Sequence, residues 1–107
     1  MKSRLINYAE SAFQELDEIA DWNEKIYGRS HARKYIAFLQ HSIEILATRV
    51  EVGKQVNQRP GLHYIRVQRR HRGNGHVVVY RYDDATVHIL HFFHTAQDWE
   101  NKLGNAD

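Results

Sequence analysis

Residues 9–50, AESAFQELDEIADWNEKIYGRSHARKYIAFLQHSIEILATRV, decide the fold because they hold two amphipathic helical patterns in direct succession. Apolar residues recur in each at three- and four-residue steps, and acidic residues fill the other face of the first pattern. The first stripe is Ala9, Ala12, Phe13, Leu16, Ile19, Ala20 and Ile26, and the second is Ala32, Tyr35, Ile36, Leu39, Ile43, Leu46, Ala47 and Val50. Gly28 predicts the end of the first helix, and Ser30 the N-cap of the second. The three-residue connection predicts an antiparallel αα-hairpin.

Outside this hairpin the pattern changes to that of strands. A short strand is predicted at Arg4–Tyr8, and Gly53 is followed by a polar loop over 54–61. Three further strands are predicted at His63–Val67, His76–Tyr82 and Thr86–Phe93, the first two joined by a Gly-Asn-Gly turn. Residues 95–98 resemble a capping box that opens a short last helix containing Trp99 and Leu103. The order β-α-α-β-β-β-α predicts an α+β fold in which the hairpin packs on one face of a small, mostly antiparallel sheet.

Length and composition fit one small globular domain over residues 1–107. Apolar residues make up 42% of the chain and charged residues 26%, which argues against a disordered or rod-like protein. The chain has no Cys, so thiolate metal sites, thiol nucleophiles and disulfides are excluded. The N-terminus has no apolar signal-peptide core, and the longest aliphatic cluster is too short to span a membrane. We therefore expect a cytoplasmic protein with no membrane partner.

Positive charge is concentrated in the second half of the chain. Residues 54–94 hold 7 basic and 2 acidic side chains, although the whole chain carries only +2. Three of these, Arg69, Arg70 and Arg72, surround the predicted turn between two strands. Such a surface suits an acidic or polyanionic partner, and the competing interpretation is a solvated hairpin tip.

Two chemical sites can be considered from residue types alone. His88, His91 and His94 suggest a metal site, but strand alternation points His91 away from His88, and cross-strand packing is the favoured interpretation. No metal or other cofactor is predicted. Acid–base chemistry on RNA is the second possibility, and packing again competes with it. Its candidate residues are Arg66, Arg81, His88, His91, Tyr64, Tyr80 and Tyr82.

Several segments in order carry a resemblance to a known family. They are YAESAFQELDEIADW, ARKYIAFLQHSIEILA, the following Gly53, RPGLHYIRV, VVVYRY and ILHFFHTAQD. Together these segments resemble the ParE branch of the RelE/ParE toxins over nearly the whole chain. Tyr80-Arg81 and the His94 to Asp98 spacing match the family pattern, whereas Val50 stands where a Pro is common.

The resemblance implies the toxin of a type II toxin-antitoxin module. ParE-like members block DNA gyrase, and RelE-like members cut mRNA in the ribosome. RelE-like nucleases place Tyr, Arg or His after the last strand, and none follows His94 here. The sequence therefore favours a gyrase inhibitor over an enzyme, with the ribosome-dependent nuclease as the alternative. The implied partners are a ParD-like cognate antitoxin and gyrase, with operator DNA reached only through the antitoxin complex.

Two sets of contact residues are predicted. Trp22, Tyr27, Tyr35 and Phe38 lie at the margins of the helical stripes and are candidates for antitoxin binding, with core packing as the alternative. The candidate target surface combines the basic turn with the C-terminal segment: Arg69, Arg70, Arg72, His94, Asp98 and Trp99. For Trp99 the competing interpretation is a lid over the core.

Overall fold

The computed structural model describes residues 3–69 and 75–105, which form three helices and a five-stranded sheet. In chain order the elements are β1 (Leu5–Tyr8), α1 (Glu10–Tyr27), α2 (Arg29–Glu44), two 3₁₀ turns (Ile45–Ala47 and Val50–Val52), β2 (Lys54–Gln55), β3 (His63–Val67), β4 (His76–Tyr82), β5 (Thr86–His94) and α3 (Trp99–Asn105). The α+β class and the predicted element order are confirmed. The two-residue strand β2, within the predicted loop, is an addition.

The sheet has the strand order β1-β5-β4-β3-β2. Strands β2 to β5 pair antiparallel, and β1 pairs parallel with β5, Leu5 lying opposite Thr86. A bulge between β4 and β5 places Val79 opposite His91 and Tyr80 opposite Ile89. This bulge shifts the side-chain alternation halfway along β5.

The helical hairpin is tighter than the sequence predicts. Gly28 has φ 93°, a backbone conformation that favours glycine, and its N–H donates to the carbonyl of Glu24. The carbonyl of Gly28 then accepts from the N–H of Ala32, so α2 begins at Arg29. The prediction of Ser30 as N-cap is therefore wrong. One glycine ends α1 and caps α2, and no three-residue connection is needed.

Helix α2 ends before its apolar stripe does. It stops at Glu44, and the last three stripe residues, Leu46, Ala47 and Val50, lie in the two 3₁₀ turns. The side chains of Leu46 and Val50 are buried. After Glu44 the chain is no longer α-helical, and the 3₁₀ turns place these two side chains in the larger core against the sheet. The end of α2 is therefore less sharply defined than it would be with a proline at position 50.

Two apolar cores lie on the two faces of the sheet. The larger joins Ala12, Leu16, Leu39 and Ile43 of the hairpin to alternate residues of the central strands, including Val78 and Ile89. The smaller is closed by α3 and consists of Val56, Val77, Val79, Phe93, Trp99 and Leu103. Alternating side chains of a strand point to opposite faces, so β4 serves both cores.

The first turns of α1 close the edge of β5 beyond the end of β1. The Ser11 hydroxyl donates to the Leu90 carbonyl at 2.8 Å, and one Glu15 carboxylate oxygen accepts from the Phe92 N–H at 3.0 Å. The other Glu15 oxygen lies 3.2 Å from His91 Nδ1. Side chains of a helix thus satisfy backbone groups that a longer β1 would otherwise pair.

The connection into α3 differs from the predicted capping box. The Thr95 hydroxyl accepts from the N–H of Gly75, and the Gln97 side chain accepts from the N–H of His94. Both side chains therefore secure the end of the β4–β5 pair, and the first helical bond runs from Lys102 N–H to the Asp98 carbonyl. Among the described residues, no helix is long and apolar enough to cross a membrane.

Candidate functional site

A groove of about 620 Å³ runs between α2 and the outer strands β3 and β2. We call it the α2–β3 groove. It is lined by Phe38, Ser42, Ile45, Val52, Lys54, Tyr64, Ile65, Arg66, Val67 and Gln68. Ile45 is 44% exposed and Val52 43%, although both are large apolar side chains. The groove thus offers an apolar floor to a partner.

The outer edge of β3 borders this groove. Strand β2 pairs only with His63 and Tyr64. In the described part of the chain, β3 beyond Tyr64 therefore has no strand on its outer side. Main-chain groups of such an edge can pair with an extended segment of another chain.

The rim of the α2–β3 groove is basic. Lys54 and Arg66 are both exposed. The exposed Lys34 precedes Phe38 by four residues, so both lie on one flank of α2. Ile45, in the 3₁₀ turn that follows α2, lines the same groove as Phe38. The flank combines apolar contact area with positive charge, which suits a partner that is apolar on one face and acidic beside it.

The four residues predicted to bind the antitoxin lie in three different parts of the structure. Phe38 lines the α2–β3 groove. Tyr35 is only 9% exposed and has no surface to offer a partner. Trp22 and Tyr27, 56% and 57% exposed, lie at the free end of the helical hairpin with ring centroids 5.9 Å apart. With Ile26, also 56% exposed, they form what we call the tip patch.

Tyr35 instead joins a buried polar pair. Its hydroxyl is hydrogen-bonded to Nδ1 of His76, and the ring of His94 lies edge-on to His76 at 5.4 Å. Burial, together with the neighbouring His94, lowers the pKa of His76 to about 4. Burial also raises the pKa of Tyr35 to about 12. At neutral pH both groups are therefore uncharged, and the bond ties α2 to β4.

The predicted target surface is only partly exposed. Arg69 lies exposed just after β3, whereas Arg70 and Arg72 fall outside the described residues. Asp98 is exposed, and its carboxylate accepts from the Asn101 side-chain amide at 2.6 Å. Trp99 is 6% exposed and packs on Tyr64, their ring centroids 4.8 Å apart. Trp99 is thus the core lid and not an exposed anchor.

The histidines of β5 have separate partners. His88 lies 3.4 Å from both Asn7 Nδ2 and Asp83 Oδ2, which engage its two ring nitrogens. His91 contacts Glu15, and His94 contacts His76. Within residues 3–69 and 75–105, no three His, Asp or Glu side chains are grouped so that they could hold a metal ion.

The side chains considered for RNA chemistry are distributed over both faces of the sheet. Tyr80 belongs to the larger core and donates to the Val50 carbonyl at 2.7 Å, whereas Tyr64 packs on the smaller core. His88 and His91 have the carboxylate partners just described. Arg81 lies opposite His88 across the β4–β5 pair, but Tyr64 and Tyr80 pack on different cores, so the seven side chains do not form one site where a phosphate could meet an acid and a base.

The fold of this chain is shared with proteins of known structure. The structure resembles that of the chromosomal ParDE toxin-antitoxin system from P. aeruginosa, with a TM-score of 0.70 at 18% identity over 84% of this chain and 94% of that one. It also resembles the toxin-antitoxin complex RelBE2 from Mycobacterium tuberculosis, with a TM-score of 0.55 at 24% identity over 91% and 97% of the two chains. At these identities the likeness shows a shared RelE/ParE-like fold. No curated protein matches the chain.

Residues 6–99 match the family described as the ParE toxin of the type II toxin-antitoxin system parDE. The chain belongs to this family.

Sequence reasoning missed most of the α2–β3 groove. Ile45 and Val52 fall outside the predicted helical stripes, so their exposure was not considered. A usable signal was present, since Phe38, Ile45 and Val52 follow one another at seven-residue intervals beside the core stripe. A second apolar row that begins on a helix and runs beside its core stripe indicates a partner-binding flank.

Proposed function

We propose that this ParE-family toxin is neutralised when an acidic, amphipathic segment of its ParD-like antitoxin occupies the α2–β3 groove, and that the free toxin inhibits DNA gyrase. The observation that carries the first part is the combination of exposed Ile45 and Val52 with the basic rim of Lys54 and Arg66. An apolar groove with charged margins is a common receptor for amphipathic segments.

The dimensions of the groove flank suit a helix of a few turns. From Lys34 to its last residue, Glu44, the helix α2 rises about 15 Å at 1.5 Å per residue. A partner helix of three turns spans the same length. An extended continuation of the partner would meet the open edge of β3 next to Arg66. Contact with operator DNA would come only through the antitoxin in such a complex.

Antitoxin affinity tests the groove directly. The antitoxin is the product of the gene adjacent to the toxin gene, and titration calorimetry measures its binding to purified variants. We expect Ile45→Glu and Arg66→Glu each to weaken binding about thirtyfold, as loss of a central contact worth about 2 kcal/mol does. Phe13→Glu is the matched control, because Phe13 is 56% exposed on α1 and does not line the groove. Unchanged affinity in both groove variants would refute the site.

The proposal that the free toxin inhibits gyrase is based on the positive charge of residues 54–94 and on membership of the ParE toxin family. Residues 54–94 carry seven basic and two acidic side chains, and Arg69 is exposed beside the end of the sheet. Such a surface speeds encounter with an acidic or DNA-bound partner, and salt weakens the effect. We include Arg70, Arg72, His94 and Asp98 in this target surface. Because Trp99 is buried, it acts only by holding α3 in place. Gyrase also makes the cytoplasm the expected location.

A supercoiling assay tests the target. Purified toxin, freed of antitoxin, should inhibit gyrase or accumulate cleaved gyrase–DNA complexes. The triple change of Arg69, Arg70 and Arg72 to Ala should reduce inhibition at least tenfold, with folding checked by circular dichroism. Folded wild-type toxin that leaves gyrase unaffected at micromolar concentration would refute the gyrase assignment and leave the groove assignment standing.

A further inference from the structure

The free end of the helical hairpin carries an exposed apolar surface that the groove does not use. All three side chains of the tip patch are more than half exposed: Trp22, Ile26 and Tyr27. The residues that surround the turn, 24–30, are all exposed as well. The patch therefore projects into solvent. A projecting apolar patch on a small protein marks a contact site.

Charge is divided across this tip. Residues 17–24, before the turn, carry four acidic and no basic side chains: Asp17, Glu18, Asp21 and Glu24. Residues 25–34 carry four basic and no acidic side chains: Lys25, Arg29, Arg33 and Lys34. A partner of one sign would be attracted by one side of the patch and repelled by the other. A second copy, rotated by a two-fold axis, presents the opposite sign to each side.

Helical geometry gives the register of such a pairing. Trp22 and Ile26 are four residues apart and form one ridge along α1. An antiparallel contact centred between them lays Trp22 of one copy against Ile26 of the other. The same register brings Glu18 of one copy opposite the start of α2 of the other, where Arg29 lies. Arg29 already contacts Glu24 at 3.2 Å, but both side chains are largely exposed. Little free energy is therefore lost when Arg29 turns toward Glu18 of the other copy.

From this arrangement we propose that the toxin forms a weak, two-fold symmetric homodimer through the tip patch. Two patches of on the order of 300–600 Å² each would bury an area at or below the low end of specific interfaces. The dimer should therefore be transient, with a dissociation constant in the micromolar range or above, and salt should weaken it. The α2–β3 groove and the target surface stay free in it. The proposal is independent of the antitoxin and gyrase assignments.

Sedimentation equilibrium of the purified full chain tests the proposal, from about 5 to 500 μM at low and high salt. We expect a monomer–dimer equilibrium that Trp22→Glu weakens at least tenfold. The control is Leu5→Glu, because Leu5 is 72% exposed on β1, away from the tip. It should leave the equilibrium within twofold of wild type. A purely monomeric wild type over this range, or an equal effect of both variants, would overturn the proposal.

A charge exchange gives a second test that does not touch the apolar core of the contact. Glu18→Arg alone and Arg29→Glu alone should each weaken the dimer severalfold, and the double variant should recover most of the affinity. All variants are surface changes, and circular dichroism checks their folding. Absence of recovery would refute the two-fold register. Loss of antitoxin affinity in Trp22→Glu, with no self-association in wild type, would instead assign the patch to antitoxin binding.

Discussion

Mild acid should destabilise this protein through a single buried imidazole. His76 is 9% exposed and hydrogen-bonded to Tyr35, and burial with the nearby His94 lowers its pKa to about 4. In the unfolded chain the same group has a pKa near 6.5. Between these values the unfolded state binds a proton that the folded state does not. The free energy of unfolding therefore falls as the pH falls from about 6.5 to about 4.

The size of the effect follows from the two pKa values. They differ by about 2.5, and each pKa unit corresponds to 1.36 kcal/mol, so the loss reaches about 3 kcal/mol once the pH falls to the pKa of the folded state. This is a large fraction of the 5–15 kcal/mol that typically separates folded and unfolded states. The loss should be absent above pH 7, complete near pH 4, and no greater below it.

Urea unfolding, followed by circular dichroism from pH 7 to pH 4, measures this difference. Carboxylates also titrate at acid pH, so the informative quantity is the pH dependence of wild type minus that of His76→Gln. Glutamine can bond the Tyr35 hydroxyl but does not titrate. His41→Gln is the matched control, because His41 is an exposed histidine on α2, the helix that carries Tyr35. Equal losses of stability in wild type and His76→Gln would refute the reasoning.

Three further changes have expected outcomes in the same unfolding assay. Gly53→Ala should cost about 3 kcal/mol, because a Cβ at this extended residue would collide with the Tyr80 hydroxyl and lie 2.9 Å from the Tyr64 carbonyl oxygen. Trp99→Ala should cost about 3–5 kcal/mol by opening the smaller core. Glu15→Ala should cost about 1–3 kcal/mol, since it removes the acceptor of the Phe92 N–H at the sheet edge.

Each of these changes has a matched control in the chain. Gly104→Ala places its Cβ in open space within α3 and should not destabilise. Phe13→Ala removes an aromatic ring that is 56% exposed and should cost less than half as much as the Trp99 change. Glu10→Ala removes an exposed acidic residue at the start of α1. If a control variant lost as much free energy of unfolding as its test variant, the contact assigned to the test residue would be contradicted.

The sequence predicts an element well where its apolar periodicity reflects a single requirement, namely burial against one surface. The helical stripes follow burial against a single sheet face, so α1 and α2 lie within a residue or two of their predicted starts, and β3 and β4 match completely. The predictions are wrong where the same residues could serve two different structural roles. Thr95 fits a capping box, but its hydroxyl bonds the end of β4 instead. Strand β2 has only two residues and leaves no period to detect.

The candidate site is less accessible to sequence reasoning, since exposure depends on tertiary packing. Tyr35 at a stripe margin and Trp99 near the C-terminal end are predicted as contact residues with core packing as the alternative, and both are buried, with His76 and Tyr64 against them. Conversely, Ile45 and Val52 have ordinary core composition and remain exposed. Only their seven-residue spacing from Phe38 distinguishes them in the sequence.

The pairing of β1 with β5 has a consequence for synthesis of the toxin. Leu5 lies opposite Thr86, 81 positions later in the chain, so the first strand made has no place in the sheet until the last strand exists. Closing so long a loop is slow compared with forming the helical hairpin. A nascent chain on the ribosome therefore lacks a complete sheet until β5 has been made, although both helices of the hairpin already exist.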